Sequence, residues 1–144
     1  MIRVIGLGQP ARGDDGVGPA VIAALQEAPP AGVELITLTD TAALIDLLDG
    51  TPTILVDAVA EVAEPGAVLE LTVADLAGVS AVSTHGIGVP EALGLAEALH
   101  GPAVIAGLQV VGVAITGDVA MGRGLSEAVA AAVPVAAARI REML

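Results

Sequence analysis

Apolar positions fall into short runs separated by glycine, proline and acidic residues, and their spacing alternates between strand-like and helix-like. Ile2, Val4, Ile5 and Leu7 form a run with β-branched members, which predicts a buried strand. Pro19 to Ala28 carries a helical stripe at Val21, Ile22 and Leu25, and Pro29-Pro30 ends it. Val33 to Leu38 predicts a second strand, and Thr41 to Leu48 a second helix closed by Asp49-Gly50. Thr53 to Val56 is a third strand, almost wholly apolar, that stops at Asp57. Beyond the polar loop Glu61 to Gly66, Ala67 to Thr72 alternates as a fourth strand.

The second half is plainer. Asp75 to Thr84 holds small residues without strong periodicity, read as a turn of helix followed by a mobile loop that ends at His85-Gly86-Ile87-Gly88. Pro90 to Leu99 is a helix expected to bury the stripe Leu93, Leu95, Ala96 and Leu99, and His100-Gly101-Pro102 stops it. Ala103 to Ile115 predicts a fifth strand, Met121 to Gly124 a loop, and Ser126 to Met143 the last helix, with a kink at Pro134. The order β-α-β-α-β-β-α-β-α has no linker or repeat. Residues 1–144 therefore read as one α/β domain with helices on both faces of a mixed sheet. The link from Asp57 to the fourth strand is too short for a helical crossover, so that strand should run antiparallel to the third.

Composition narrows the chemistry. The chain of 144 residues has no cysteine, which excludes a disulfide framework and thiolate metal sites. It also lacks Phe, Tyr, Trp, Lys and Asn, so its core is Ala, Val, Leu and Ile, residues that let helices approach a sheet closely. The net charge is −12, and the five arginines are scattered at 3, 12, 123, 139 and 141. Without a basic patch, neither nucleic acid nor an anionic membrane surface is an expected partner. The uncharged run from Ala98 to Gly117 is long enough to raise the question of a membrane span, but glycines, Pro102 and Gln109 divide it into helix end, turn and strand. No signal-peptide pattern opens the chain, and a cytoplasmic location is expected.

Between the first strand and first helix lies Gly6-Leu7-Gly8-Gln9-Pro10-Ala11-Arg12-Gly13-Asp14-Asp15-Gly16-Val17-Gly18. It is a poor dinucleotide fingerprint. The third glycine is at 13, and two acids stand where a pyrophosphate would approach. Helix-dipole stabilisation and a cation site both account for those acids. Gly18-Pro19 reads as the helix start. Asp57 can cap the turn after its strand, and His100 suits a helix C-terminus. Taken together, however, Asp15 follows strand one, Asp57 ends strand three and His85 precedes a helix. Parallel strands bring their C-terminal ends to one edge, so the two acids should face one crevice. Two carboxylates and an imidazole suit a divalent metal such as nickel, zinc or iron, with positions left open.

These residues also resemble a known family, the nickel-iron hydrogenase maturation endopeptidases. The resemblance rests on Gly6-Leu7-Gly8-Gln9 with Asp14-Asp15-Gly16-Val17-Gly18, on Ile54-Leu55-Val56-Asp57-Ala58, and on Ser83-Thr84-His85-Gly86 before a leucine-rich helix. Val111-Gly112-Val113 and Gly122-Arg123-Gly124-Leu125-Ser126 resemble the family's last strand and last helix start. The chain departs from the pattern at Gln9, where the family has asparagine, at Leu38-Thr39-Asp40-Thr41, which lacks glycines, and at Ala114-Ile115, which replaces a Glu-Pro pair.

The resemblance implies a phosphorylase/hydrolase-like, three-layer α/β/α fold with a five-stranded sheet in order 2-1-3-5-4, strand four antiparallel. It further implies an aspartyl-type endopeptidase that trims the C-terminal extension of a hydrogenase large-subunit precursor once nickel is installed. Asp15, Asp57 and His85 would be both the catalytic and the metal-recognising residues. Nickel would arrive on the precursor, no organic cofactor is expected, and the protein would act as a monomer. The residues themselves offer no nucleophile and base pair: the only histidines are 85 and 100, and no serine sits in a nucleophile elbow. Metal-assisted hydrolysis is the expected chemistry, with Asp14 in reserve as a base or supporting partner. A nickel-recognising module that binds without cutting, or a simplified scaffold of the same fold, are the alternative readings.

Overall fold

The computed structural model describes residues 1–76, 87–116 and 124–144. Their backbone forms a five-stranded sheet in the order β2-β1-β3-β5-β4. The strands are β1 (Ile2–Leu7), β2 (Val33–Leu38), β3 (Thr53–Ala60), β4 (Val68–Leu71) and β5 (Gln109–Ile115). β1 pairs in parallel with β2, from Ile2↔Val33 to Leu7↔Leu38, and with β3, from Arg3↔Thr53 to Gly6↔Val56. β3 pairs in parallel with β5 through Asp57↔Gly112. β4 runs antiparallel, but its hydrogen-bonded neighbour is β5, not the strand that precedes it.

The helices are α1 (Val17–Gln26), α2 (Leu44–Leu47), α3 (Val73–Leu76), α4 (Val89–His100) and α5 (Glu127–Met143). They cover both faces of the sheet, and each face has its own apolar cluster. On one side Val4, Ile54, Val56 and Val111 pack with Val21, Ile22 and Leu25 of α1 and with Val129, Ala136 and Ile140 of α5. On the other, Ile5, Leu7, Leu55 and Val110 pack with Leu44 of α2, Leu76 of α3, and Ala92, Leu93 and Ala96 of α4. Central strands buried on both faces must be apolar at nearly every position, which is why β3 and β5 read as continuous runs. Strand alternation sends residues 54, 56 and 58 toward α1 and α5, and residue 55 to the opposite layer. Residue 57 therefore belongs to the face of α2, α3 and α4.

Several boundaries differ from those the sequence predicts. α1 begins at Val17, before the expected Gly18-Pro19 start, because a 3-10 turn over Gly13–Gly16 leads straight into it. The second helix opens as a 3-10 turn, Thr41–Ala43, capped by the Asp40 side chain accepting from the Ala42 N–H at 3.0 Å. β3 continues to Ala60, so Asp57 lies inside the strand and does not end it; pairing with β5 extends through Ala60↔Ile115. The fifth strand is shorter than expected, since Pro102–Val104 form a 3-10 turn and pairing begins only at Gln109. In α4, Leu93 and Ala96 are buried as expected, whereas Leu95 and Leu99 are 44% and 66% exposed. The inward stripe runs instead through Ala92, Leu93 and Ala96. α5 continues through Pro134, which cannot donate to the Ala130 carbonyl. α3 is opened by a reciprocal cap: Thr72 Oγ1 accepts from the Asp75 N–H at 3.2 Å, and Asp75 Oδ2 accepts from the Thr72 N–H at 2.8 Å. The loop expected up to Thr84 lies outside the described residues. Among the described residues, no helix is long and apolar enough to cross a membrane.

Candidate functional site

In this strand order the chain leaves β1 toward β2 on one side and returns to β3 on the other. The C-terminal ends of β1 and β3 thus flank a topological switch point, where open α/β sheets leave a crevice. The turn carrying Asp15 departs from the end of β1, and Asp57 stands on β3 one residue beyond the last β1 to β3 pair, Gly6↔Val56.

The Asp15 turn is closely held. Asp15 is only 8% exposed, and its Oδ2 accepts the Gln9 N–H at 3.0 Å. Its own N–H donates to the Arg12 carbonyl at 3.1 Å. Gly8 has φ +144°, and a Cβ there would run into the backbone carbonyl of Asp15. The first glycines of the loop therefore serve close approach, not phosphate binding. At the start of α1 a Cβ on Gly18 would collide with the backbone of Leu7, so the helix lies against β1 only because that position is glycine. Gly8→Ala should lower stability by about 2–4 kcal/mol, from positive-φ strain combined with a backbone clash. Urea denaturation measures this, and a loss under about 0.5 kcal/mol would contradict the packing described.

Gln9 works through two groups. Its backbone N–H holds Asp15, and its side-chain amide donates to the Thr39 carbonyl at 3.1 Å, tying the loops after β1 and β2 together.

Asp57 is partly buried, and its Oδ1 accepts the N–H of Ala58 at 2.9 Å. Burial among apolar neighbours, and then the like charge of Asp15, push its carboxyl up to about 8; the Ala58 N–H opposes them only in part. The two carboxyls are thus close enough for the charge of Asp15 to act on Asp57. Each would be stabilised by a cation placed between them.

The third expected residue, His85, lies outside the described residues. Among the described residues, no three acidic or imidazole side chains converge as a metal centre. The other histidine, His100, is the last residue of α4 and sets Nε2 3.6 Å from Asp46 Oδ1. Twelve residues of helix separate the ends of α4 by about 17 Å. His100 therefore belongs to the sheet edge opposite the crevice, as its terminal assignment requires.

Asp14 does not point its acceptors into the same arrangement. Its Oδ1 accepts the N–H of Ser126 and its Oδ2 accepts the Ser126 hydroxyl, at 2.6 and 2.9 Å. Ser126 is the N-cap residue of α5. Sequence reasoning found both ends of this link but not the link, because a Ser-Glu helix start does not specify an acceptor 112 residues upstream.

A family model described as hydrogenase maturation protease, HycI, matches residues 19–143, a span that includes Asp57 and His85 and begins just after Asp15. Along the whole chain the fold is similar to the nickel-iron hydrogenase maturation protease HybD of Thermococcus kodakarensis. The TM-score is 0.75 at 23% identity, over 99% of this chain and 97% of that one. It is also similar to the maturating endopeptidase HybD of E. coli, with TM-score 0.71 and 24% identity over 99% and 91% of the two chains. A hydrogenase 2 maturation peptidase from a Thaumarchaeota archaeon matches with TM-score 0.64 and 26% identity, over 99% and 96%. No curated protein matches the chain in sequence.

Proposed function

The chain belongs to the hydrogenase maturation protease family, and on that premise we propose that it removes the C-terminal extension of a nickel-iron hydrogenase large-subunit precursor after nickel insertion. It would act in the cytoplasm as a monomer. The observation that supports this reading is that Asp15 follows β1 and Asp57 lies on the neighbouring parallel strand β3, at the switch point of the sheet and within reach of each other's charge. Two mutually repelling carboxylates, one of them costly to ionise, make a site that improves when a divalent cation enters it. Carboxylate and imidazole donors without thiolate fit nickel, and the donor set of Asp15, Asp57 and His85 leaves positions for ligands the precursor brings.

Nickel carried on the precursor would polarise the scissile carbonyl or orient the attacking water. The protein's own part is to hold Asp15 in place through the Gln9 N–H and to keep Asp57 protonated until a cation arrives. With Asp57 Oδ1 accepting from Ala58, Oδ2 is the oxygen left to carry the proton, which would pass to water as the carboxylate takes up the cation. Recognition then depends on cargo, so that only a loaded precursor is cut.

Conversion of purified precursor to its shorter form, with and without nickel, tests the function. Equal cleavage of nickel-free precursor would overturn the cargo requirement, and nickel binding without any cleavage would identify a binding module instead. The ligand assignment has its own test. His85→Ala should weaken nickel binding by at least about tenfold in calorimetry, while His100→Ala should leave it unchanged. Equal losses in the two variants would remove His85 from the site.

A further inference from the structure

Asp14 is the acid of the pair that the crevice does not use, and its contacts assign it a different task. Both of its carboxylate oxygens accept hydrogen bonds from Ser126, one from the backbone N–H and one from the hydroxyl. Ser126 has no side-chain cap bond of its own to the helix, so its N–H and hydroxyl are served from outside the helix. The acid that serves them sits in the turn Gly13–Gly16, next to Asp15 in sequence. A carboxylate at a helix N-terminus is favoured by the dipole and by the donors exposed there.

We propose that Asp14 is a positioning residue for Asp15, anchoring the turn that carries it to the start of α5. The inference rests on the functional reading above for its meaning, though not for its geometry. Among the restraints on the turn are the Gln9 N–H on Asp15 Oδ2, the close approach of Gly8 to the Asp15 backbone, and the Asp14 to Ser126 pair. The first two fasten the turn to the end of β1. The third ties it to a distant element of the chain, and α5 is a long helix packed on the sheet through Val129, Ala136 and Ile140. The turn already continues into α1. The added side-chain link to α5 restrains the residue next to Asp15 directly and narrows the orientations of its buried carboxylate before the substrate arrives, which is the preorganisation a recognition site needs.

Charge and geometry separate this role from a base or a metal ligand. An asparagine at 14 can still accept the Ser126 N–H through Oδ1 and donate its amide to the Ser126 hydroxyl oxygen. It keeps both links and loses the negative charge. Asp14→Ala loses both links. Asp14→Asn should therefore behave like the wild type, whereas a ligand or base would be disabled by either change.

The Gln9 amide reports Asp15's position without any assay of function. In Asp14→Ala, hydrogen exchange at the Gln9 N–H should accelerate by at least about tenfold while amides of β3 and β5 keep their protection. Asp14→Asn should return it to within about threefold of the wild type. Ser126→Ala, which removes one of the two bonds, should give an intermediate acceleration and decides the matter if Asp14→Ala does not fold. In the processing assay, kcat should fall with Asp14→Ala, with KM little changed, and recover with Asp14→Asn. Gln9 exchange at the wild-type rate in both Asp14→Ala and Ser126→Ala, or an Asp14→Asn variant as impaired as Asp14→Ala, would overturn the positioning role. If the wild-type protein cuts no precursor, the functional reading falls, and the exchange measurement still decides this one.

Discussion

Asp57→Asn should stabilise the protein by about 5 kcal/mol or less near pH 8 and by much less near pH 4. The carboxyl of Asp57 is held near 8 in the folded chain against 3.8 for an ordinary aspartate, first by burial and then by the charge of Asp15. Between those two values the folded state keeps a proton that the unfolded state has released. The stability of the wild type therefore falls as pH rises through this window. Below 3.8 both states are protonated and the penalty vanishes; above 8 it reaches its full size. Asparagine is neutral throughout and can still accept the Ala58 N–H, so it deletes the slope along with the penalty. Urea denaturation at pH 4.5, 6.5 and 8.5 gives both curves. A wild type whose stability does not decline relative to Asp57→Asn across that range would mean that Asp57 is better solvated than its surroundings indicate. A protein that retains so unfavourable an acid in its most buried strand invites a functional explanation, since asparagine would fold better.

How far the sequence foretold this arrangement depends on whether a feature is local. The five strands, their order along the chain and the reversed direction of the fourth follow from apolar runs and loop lengths. Asp15 and Asp57 could be placed at one edge because parallel strands align their C-terminal ends. Boundaries were less legible for identifiable reasons. Asp57 looks like a strand end because a charge interrupts an apolar run, yet β3 continues to Ala60 since β5 offers partners through Ile115. The stripe in α4 looks wider than it is: Leu95 and Leu99 are apolar, but the layer formed with α2 leaves them facing outward. Gln109 marks the true start of β5, because the apolar residues before it are spent on a 3-10 turn opened by Pro102. The bond between Asp14 and Ser126 was hidden for a different reason. It joins two well-formed local signals, and nothing in either names the other.

Asp15→Asn should abolish precursor processing, a loss of at least about a hundredfold, while leaving the fold intact. The asparagine amide oxygen can accept the Gln9 N–H as the carboxylate does, and the side chain fills the same nearly closed space. What disappears is one negative charge beside Asp57. Two consequences follow, and they can be measured apart. The carboxyl of Asp57 should titrate lower than about 8, since a like charge has been removed, but it should remain above the ordinary aspartate range because burial is the larger cause. Carbon-13 titration of the Asp57 carboxyl reads this in the free protein. Second, a site with one anionic oxygen donor set removed holds a divalent cation less tightly, so a loaded precursor is no longer held in register for cleavage. Thermal melting checks the fold, and conversion of nickel-loaded precursor checks the activity. Full activity in Asp15→Asn would refute the role given to its charge. An unchanged Asp57 titration would separately refute the shared crevice, because two carboxylates that do not sense each other cannot grip one ion.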